Sequence, residues 1–514
     1  MNRVRQFRLA AVSAIVVVTT LGATASAAEP VRPDRFGRMF LLPPFAPPTP
    51  AVRAALLEVG KAGGILDAKD DLAAGPFALF ANPALSANNP NNPAHTAGTT
   101  FMGQLLDHDM TYDLSSRLGD PTAPKTTPNL RTPAFDLDMV YGNGPGGAPQ
   151  LYDPADTIKF RIESGGLFED LPRDPATRRA LVADPRQDEN MIIGGLHAAF
   201  LLFHNRMVDQ IRGQQPGLSD DQVFARARQL TTFHYQWLIL KEFLPLFVGQ
   251  PMVDDILSQG RRFYRPRASN EFIPVDFQVV YRFGHSMVRP SYPANPNGNG
   301  GAPFAGLIFD PAAEGSADPV DLRGGARAPR RFINWGAFFN FGTGLAPLPN
   351  KRIDTRLASP LFNLPLASIP AGEPPTSLAQ RNLLRHLTWS LPSGQQIARR
   401  MGVPVLPAAN LADIAGIRKS FGSSTPLWFY ILREAEVMAA GQHLGPVGGR
   451  IVGEVFIGLL QSDPASYLNA QPDFKPTVPT RSGVADDFRM ADFLNFAGVG
   501  PAARGGSPLP PPSL

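Results

Sequence analysis

A mainly helical fold, one large loop-rich domain with few strands, is what this 514-residue chain predicts. Apolar residues recur at helical spacing, as at Leu196, Phe200, Phe203 and Met207. Capping signals precede such segments, among them Ser219-Asp-Asp-Gln222. Strand patterns are scarce and no repeat or heptad is visible, while 54 prolines and 48 glycines imply much ordered loop between short elements. The 43% hydrophobic content is that of an ordinary globular protein.

In chain order, Met1–Arg8 is basic, Leu9–Leu21 is mostly apolar and Ala25-Ser-Ala27 is a small-residue cleavage pattern. Residues 1–27 thus predict a cleaved secretory signal and a secreted or periplasmic protein, with no later stretch long and apolar enough to span a bilayer. Residues 28–50 form a proline-rich segment expected to be extended and to wrap the surface. A short helix is expected over Ala51–Ala62, a loop-dominated region over Gly63–Thr100, and a helix from about Thr99 to Met110. Helices follow over Asn190–Arg212 and from Ser219 to about Leu246, and a histidine-centred helical segment over Val279–Val288. Ser291–Pro303 reads as a flexible loop. Later helices are expected over Leu378–Thr388, Gly394–Arg400, Pro426–Gly441, Pro446–Leu460 and Ala485–Phe496, before a Pro/Gly tail over residues 499–514.

The chain has no cysteine. That excludes disulfides, thiolate zinc sites, iron–sulfur clusters, thiolate-ligated haem and haem attached through Cys-x-x-Cys-His. Any metal must be held by imidazole, carboxylate or carbonyl groups. The formal charge of +4 falls to about +1 without the leader's Arg3, Arg5 and Arg8, so nothing points to a nucleic-acid partner.

The chemistry concentrates in Phe101–Tyr112. On a helix, Gln104, Asp107 and His108 share one face at i, i+3 and i+4, while Asp109 points elsewhere. An acid, an imidazole and an amide converging from one turn make a candidate active-site wall. A second histidine, His285, sits on an apolar, aromatic segment, and Arg186-Gln-Asp-Glu189 precedes the helix that starts near Asn190. An arginine facing His108 across a pocket would supply fixed positive charge where an oxygen–oxygen bond breaks.

Gln104-Leu-Leu-Asp-His-Asp109, Arg186-x-x-Glu189, His204-Asn-Arg206 and Tyr281-Arg-Phe-Gly-His285 occur in the order seen in the animal-type haem peroxidases. The chain resembles that family, within the peroxidase–cyclooxygenase superfamily, from roughly Ala94 to Phe496. The resemblance implies a catalytic domain over residues 51–498 that binds haem b, reduces hydrogen peroxide and oxidises small organic donors, with halides as a further donor class. It makes His108 the distal histidine, Arg186 the distal arginine and His285 the proximal iron ligand. Asn382 matches the asparagine that hydrogen-bonds the proximal ring, a contact that fixes the imidazole and tunes its basicity. Arg282 and Arg385 match arginines near the haem propionates, Asp107 and Glu189 match carboxylates that form esters to haem methyls, and Gln104 would line a halide site. Asn190 stands where some members carry a sulfonium-forming methionine, so that third link is absent.

Thr132-x-Ala134-x-Asp136-x-Asp138 alternates oxygen donors, and calcium takes about 6–8 oxygens. The family's calcium loop has this form, with Asp109 as its partner. His204 reads as structural, and His95, His197, His234, His386 and His443 receive no role. Two other functions stand beside the peroxidase: a haem-dependent fatty-acid dioxygenase, and a non-catalytic secreted, calcium-stabilised binding or adhesion protein. The dioxygenases of the fold carry a tyrosine three residues before the proximal histidine, where this chain has Arg282. The oligomeric state is open.

Overall fold

The computed structural model describes residues 34–163, 169–266, 273–299, 302–316, 318–326, 332–343, 346–369 and 371–504. The leader expected over residues 1–27 lies outside them, as does most of the C-terminal tail. Helices dominate, and the described strands form four two-stranded antiparallel pairs.

The first helix, α1 (Pro50–Val59), starts where the Thr49 hydroxyl accepts from Val52 N–H and a proline occupies the first turn. Helix α2 (Ala97–Met110) follows strand β1 (Asn91–Thr96). Gly98 in its first turn has to be glycine, because a Cβ there would lie 2.4 Å from the Phe339 ring. Helix α3 (Met191–Gln214) is capped by Asn190, whose side chain accepts from Ile192 and Ile193 N–H. It is long and apolar enough to cross a membrane by composition, which corrects the expectation that no such stretch exists; 83% of that window is buried within the protein. Its apolar stripe meets helix α4 (Asp220–Leu238) and the C-terminal region, with Phe203 stacked on Phe493 at 4.0 Å between ring centres.

The Ser219–Gln222 capping box forms as expected, but α4 runs on through a π-helical turn at Ile239–Phe243 to Val248. That turn is the kind of irregularity found at functional sites, and Phe243 lines the central cavity. Helix α5 (Val275–Val280) tightens into a 3₁₀ segment, Tyr281–Met287, which carries His285. Helices α6 (Leu378–Thr388), α7 (Leu427–Ala439) and α8 (Pro446–Ser462) pack around this segment, α8 on α5 and α7. The stretch expected as one helix over Ala485–Phe496 splits into a short 3₁₀ turn and α9 (Met490–Ala497), because Asp492 turns back to accept the N–H groups of Arg481 and Arg489.

Two expectations change further. The described residues of the stretch expected as a flexible loop over Ser291–Pro303 are strand instead: β2 (Ser291–Asn299) pairs with β3 (Ala302–Leu307). Tyr292 is fully buried, 5.3 Å from the Phe101 ring of α2, so inward packing overrides the local turn composition. The proline-rich N-terminal segment, in its described part, also does more than wrap the surface. Phe36, Phe40 and Phe45 are buried, Arg38 donates to the Trp389 carbonyl, and Met39 N–H donates to Asp276 of α5 at 2.8 Å. This strap therefore joins α5 to the end of α6. Phe45→Ala should cost about 3 to 5 kcal/mol of stability; chemical denaturation reads it, and an unchanged midpoint would show that the strap is not part of the core.

Candidate active site

One cavity of about 260 Å³ opens at the centre of the protein. Gln104, Asp107 and His108 from α2, Arg186 and Glu189 from the turn before α3, Arg282 and His285 from the 3₁₀ segment, and Arg385 from α6 all line it. The sequence-derived face of α2 is the cavity wall, and Asp109 points away from it with a fully buried side chain.

Arg186 is held from several sides. Asp184, fully buried, caps the Pro185–Asp188 turn by accepting the Arg186 backbone N–H and takes two guanidinium contacts, from Nε at 3.0 Å and Nη2 at 2.6 Å. Nη2 also donates to the His108 carbonyl at 3.1 Å, and the guanidinium lies 4.4 Å over the Tyr112 ring. Burial pushes the Asp184 carboxyl up, but the Arg186 charge and hydrogen bonds overcome that and hold it at about 2. Burial, aided by Arg186, holds the His108 imidazole down at about 3, so the ring is neutral.

On the other side, burial and then the charge of Arg282 hold His285 at about 3 as well. Its Nδ1 lies 2.8 Å from Nδ2 of Asn382, a fully buried residue whose Oδ1 has no hydrogen-bond partner. Turning the amide over would bring Oδ1 to the ring, where it would accept from Nδ1–H and leave Nε2 a lone pair for a metal. Arg282 and Arg385 gather with Arg381 at one edge of the cavity, and burial lowers the pKa of all three, Arg385 to about 10. Asp113 lies 3.4 Å from Arg385, while Asp107 and Asp113 act on Arg282 and Glu373 on Arg381.

Asp107 accepts from the Thr111 hydroxyl at 3.1 Å and lies 3.9 Å from Arg186 Nη1. Burial lifts Glu189 to about 7 against the pull of Arg186. Gln104 sits between neighbours: its amide donates to Glu189 at 3.4 Å and its oxygen accepts from Asn190 at 3.3 Å. Tyr281 lines the cavity, but its hydroxyl donates to the Gly103 carbonyl at 3.0 Å.

Behind α2, carboxylate oxygens of Asp109, Asp136 and Asp138 lie within 4.8 Å of one another. Burial raises all three, Asp136 to about 7, with repulsion from the neighbouring carboxylates adding at Asp109 and Asp136, and one Asp109 oxygen is buried without a hydrogen-bond partner. Thr132 borders the cluster, its N–H donating to Asp138 at 2.9 Å, and Ala134 sits two residues further along the same loop. His204 is structural by geometry, bridging the Tyr141 hydroxyl (3.0 Å) and the Ile158 carbonyl (2.9 Å).

Sequence reasoning missed three participants. Asp184 was signalled by Asp-Pro before a helical turn, and Arg381 by its i, i+4 spacing to Arg385. Tyr112, stacked under Arg186, had no comparable signal.

A family model described as animal haem peroxidase matches residues 111–363, a range that holds Arg186, Glu189 and His285. Eosinophil peroxidase of Mus musculus is 28% identical over 234 residues, which cover 40% of this chain and 32% of that protein. The match thus spans about a third of that relative's length. Peroxidase A from Dictyostelium discoideum superposes with a TM-score of 0.61 at 17% identity, covering 91% of this chain and 94% of that one. A fatty acid alpha-dioxygenase of Oryza sativa gives 0.60 at 17% identity, with 90% and 81% covered. At such identities the structural likeness is one of fold.

The Asp184 carboxyl lies below its ordinary value of 3.8, so the stability it contributes is present above that pH and lost as pH falls toward 2. Asp184→Asn should therefore cost roughly 2 kcal/mol near neutrality and progressively less in acid. Melting midpoints of both proteins between about pH 2 and pH 6 check this; a gap independent of pH would contradict it.

Proposed function

From the premise that the chain belongs to the animal haem peroxidase family, we propose that its cavity holds haem b and reduces hydrogen peroxide while oxidising small organic donors. The observation that carries this reading is the opening of two neutral, separately supported histidines, His108 and His285, onto one cavity.

The donor set fits haem. His285, backed by Asn382, is the residue that would hold the iron through its imidazole. Arg282, Arg381 and Arg385 gather at one edge of the cavity, a basic edge that suits propionates. When bound, haem supplies the redox chemistry that divides the peroxide oxygen–oxygen bond. His108 takes a proton from one peroxide oxygen and returns it to the leaving oxygen, which a neutral imidazole is suited to do. Arg186 offers fixed positive charge to the departing oxygen, and its clamp on Asp184 means that no reorganisation is needed at that moment. Asp107 and Glu189 are the carboxylates for ester links to haem.

Organic donors are favoured over halides, because the Gln104 amide is already shared between Glu189 and Asn190. Fatty-acid oxygenation is disfavoured by Arg282 three residues before His285 and by the engagement of the Tyr281 hydroxyl with a carbonyl. Oxygen uptake with linoleate in the absence of peroxide would reverse that choice.

Asp109, Asp136 and Asp138, with Thr132 and Ala134, are the calcium ligands in this reading. The unpartnered Asp109 oxygen and the raised carboxyls are what a cation would relieve. The leader and the calcium site together fit an exported enzyme.

His285→Ala should abolish stable haem retention, whereas Arg186→Ala should keep haem and slow the reaction with peroxide by ~10²-fold or more. Absorption spectra and stopped-flow mixing read both; unchanged haem occupancy in the first, or an unchanged rate in the second, would remove the assigned role. Chelation by EGTA should lower the melting midpoint of the wild-type protein by several degrees, and Asp136→Asn should melt below the calcium-loaded wild type by a similar margin. A midpoint insensitive to calcium and to EGTA would contradict the calcium assignment.

A further inference from the structure

His108 has two ring nitrogens, and the cavity meets only one. Nδ1 is sealed from solvent and makes no regular hydrogen bond, so on a ring that lines the cavity Nε2 is the nitrogen that opens onto it. A neutral imidazole carries one proton, and the nitrogen that holds it decides whether Nε2 is a base.

A second sealed and unmatched atom belongs to the ring's neighbour. Gln187 is fully buried, its side chain interacts with the His108 ring, and its Oε1 also lacks a regular partner. The carboxamide is oriented from its other end, where Nε2–H donates to Met139 Sδ at 3.2 Å. A thioether sulfur only accepts, so this contact fixes which end of the amide is nitrogen and leaves the oxygen for a donor. Asp184, the carboxylate whose charge acts on the ring, is committed to Arg186 through both its oxygens.

We infer that Gln187 is a positioning residue: its Oε1 accepts the Nδ1–H of His108 and so holds the tautomer in which Nε2 is free to receive a proton. The functional consequence rests on the peroxidase reading above; the pairing itself does not. It joins two buried complementary groups that are otherwise orphaned, and such groups are rarely left unpaired. Gln187 lies in the turn that presents Arg186, so one turn sets both the charge and the tautomer of the distal side. Because Met139 follows Asp138, a single sulfur also ties the ring's orientation to the acidic loop behind α2.

The test uses the full chain labelled with ¹⁵N-histidine, without haem, with two-bond nitrogen–proton correlations reporting each ring's tautomer and His108→Gln giving the assignment. His108 is expected in the Nδ1–H form. Gln187→Leu should move it to the Nε2–H form or a mixture, and with haem loaded should slow the reaction with peroxide about 10-fold or more at unchanged haem occupancy. Gln187→Glu, which keeps an oxygen acceptor, should retain a protonated Nδ1. An Nε2–H ring in the wild type overturns the inference, as does a ring unaffected by Gln187→Leu; if that variant fails to fold, loss of the Nδ1 proton in Gln187→Glu overturns it. A wild-type Nδ1–H ring that responds to Gln187→Leu, in a protein that does not react with peroxide, would sink the peroxidase reading while upholding the pairing.

Discussion

A fully buried carboxylate is costly unless it is paired, and Asp184 has Arg186. Much of the distal side follows from that pairing. Asp184 caps the turn that presents Arg186, so the charge that needs a partner also builds the backbone that supplies it. The guanidinium, once fixed, reaches back to the His108 carbonyl and lies over Tyr112, tying the turn to the last part of α2. Neutral His108 and cationic Arg186 are then complementary: the ring is kept unprotonated by burial and by the neighbouring positive charge, and can serve as a base.

Helix α2 divides its work by face. Gln104, Asp107 and His108 look into the cavity, while Asp109 turns behind it toward Asp136 and Asp138. The rear cluster is a second concentration of buried carboxylates, with Arg131 3.4 Å from Asp138 and one Asp109 oxygen left without a partner. The proximal side obeys a different constraint. His285 leaves its helix on a tighter 3₁₀ turn, and its position depends on Asn382 of α6. The N-terminal strap holds α5 and the end of α6 together from outside, so a segment far from the cavity in sequence contributes to the geometry of that pair.

How much of this was legible depended on range. The i, i+3, i+4 face of α2, the capping box at Ser219 and the helix over Leu378–Thr388 are local signals, and they appear as read. The pairing of His285 with Asn382 came from the family resemblance, since no local pattern links residues 97 positions apart. What escaped is what long-range packing decides. Tyr292 pulls a turn-rich stretch into a hairpin, three phenylalanines pull a proline-rich segment into the core, and α3 is buried although its composition would pass for a membrane span. Asp184 and Arg381 had local signals that were weaker than the motifs beside them.

The central claim is that one cavity holds haem between His108 and His285. Titrating haem into the full-length protein while following absorbance tests it most directly. The account predicts a Soret band that saturates at one haem per chain and changes on mixing with hydrogen peroxide. Folded protein that develops no Soret band, or a band that never saturates, would contradict it.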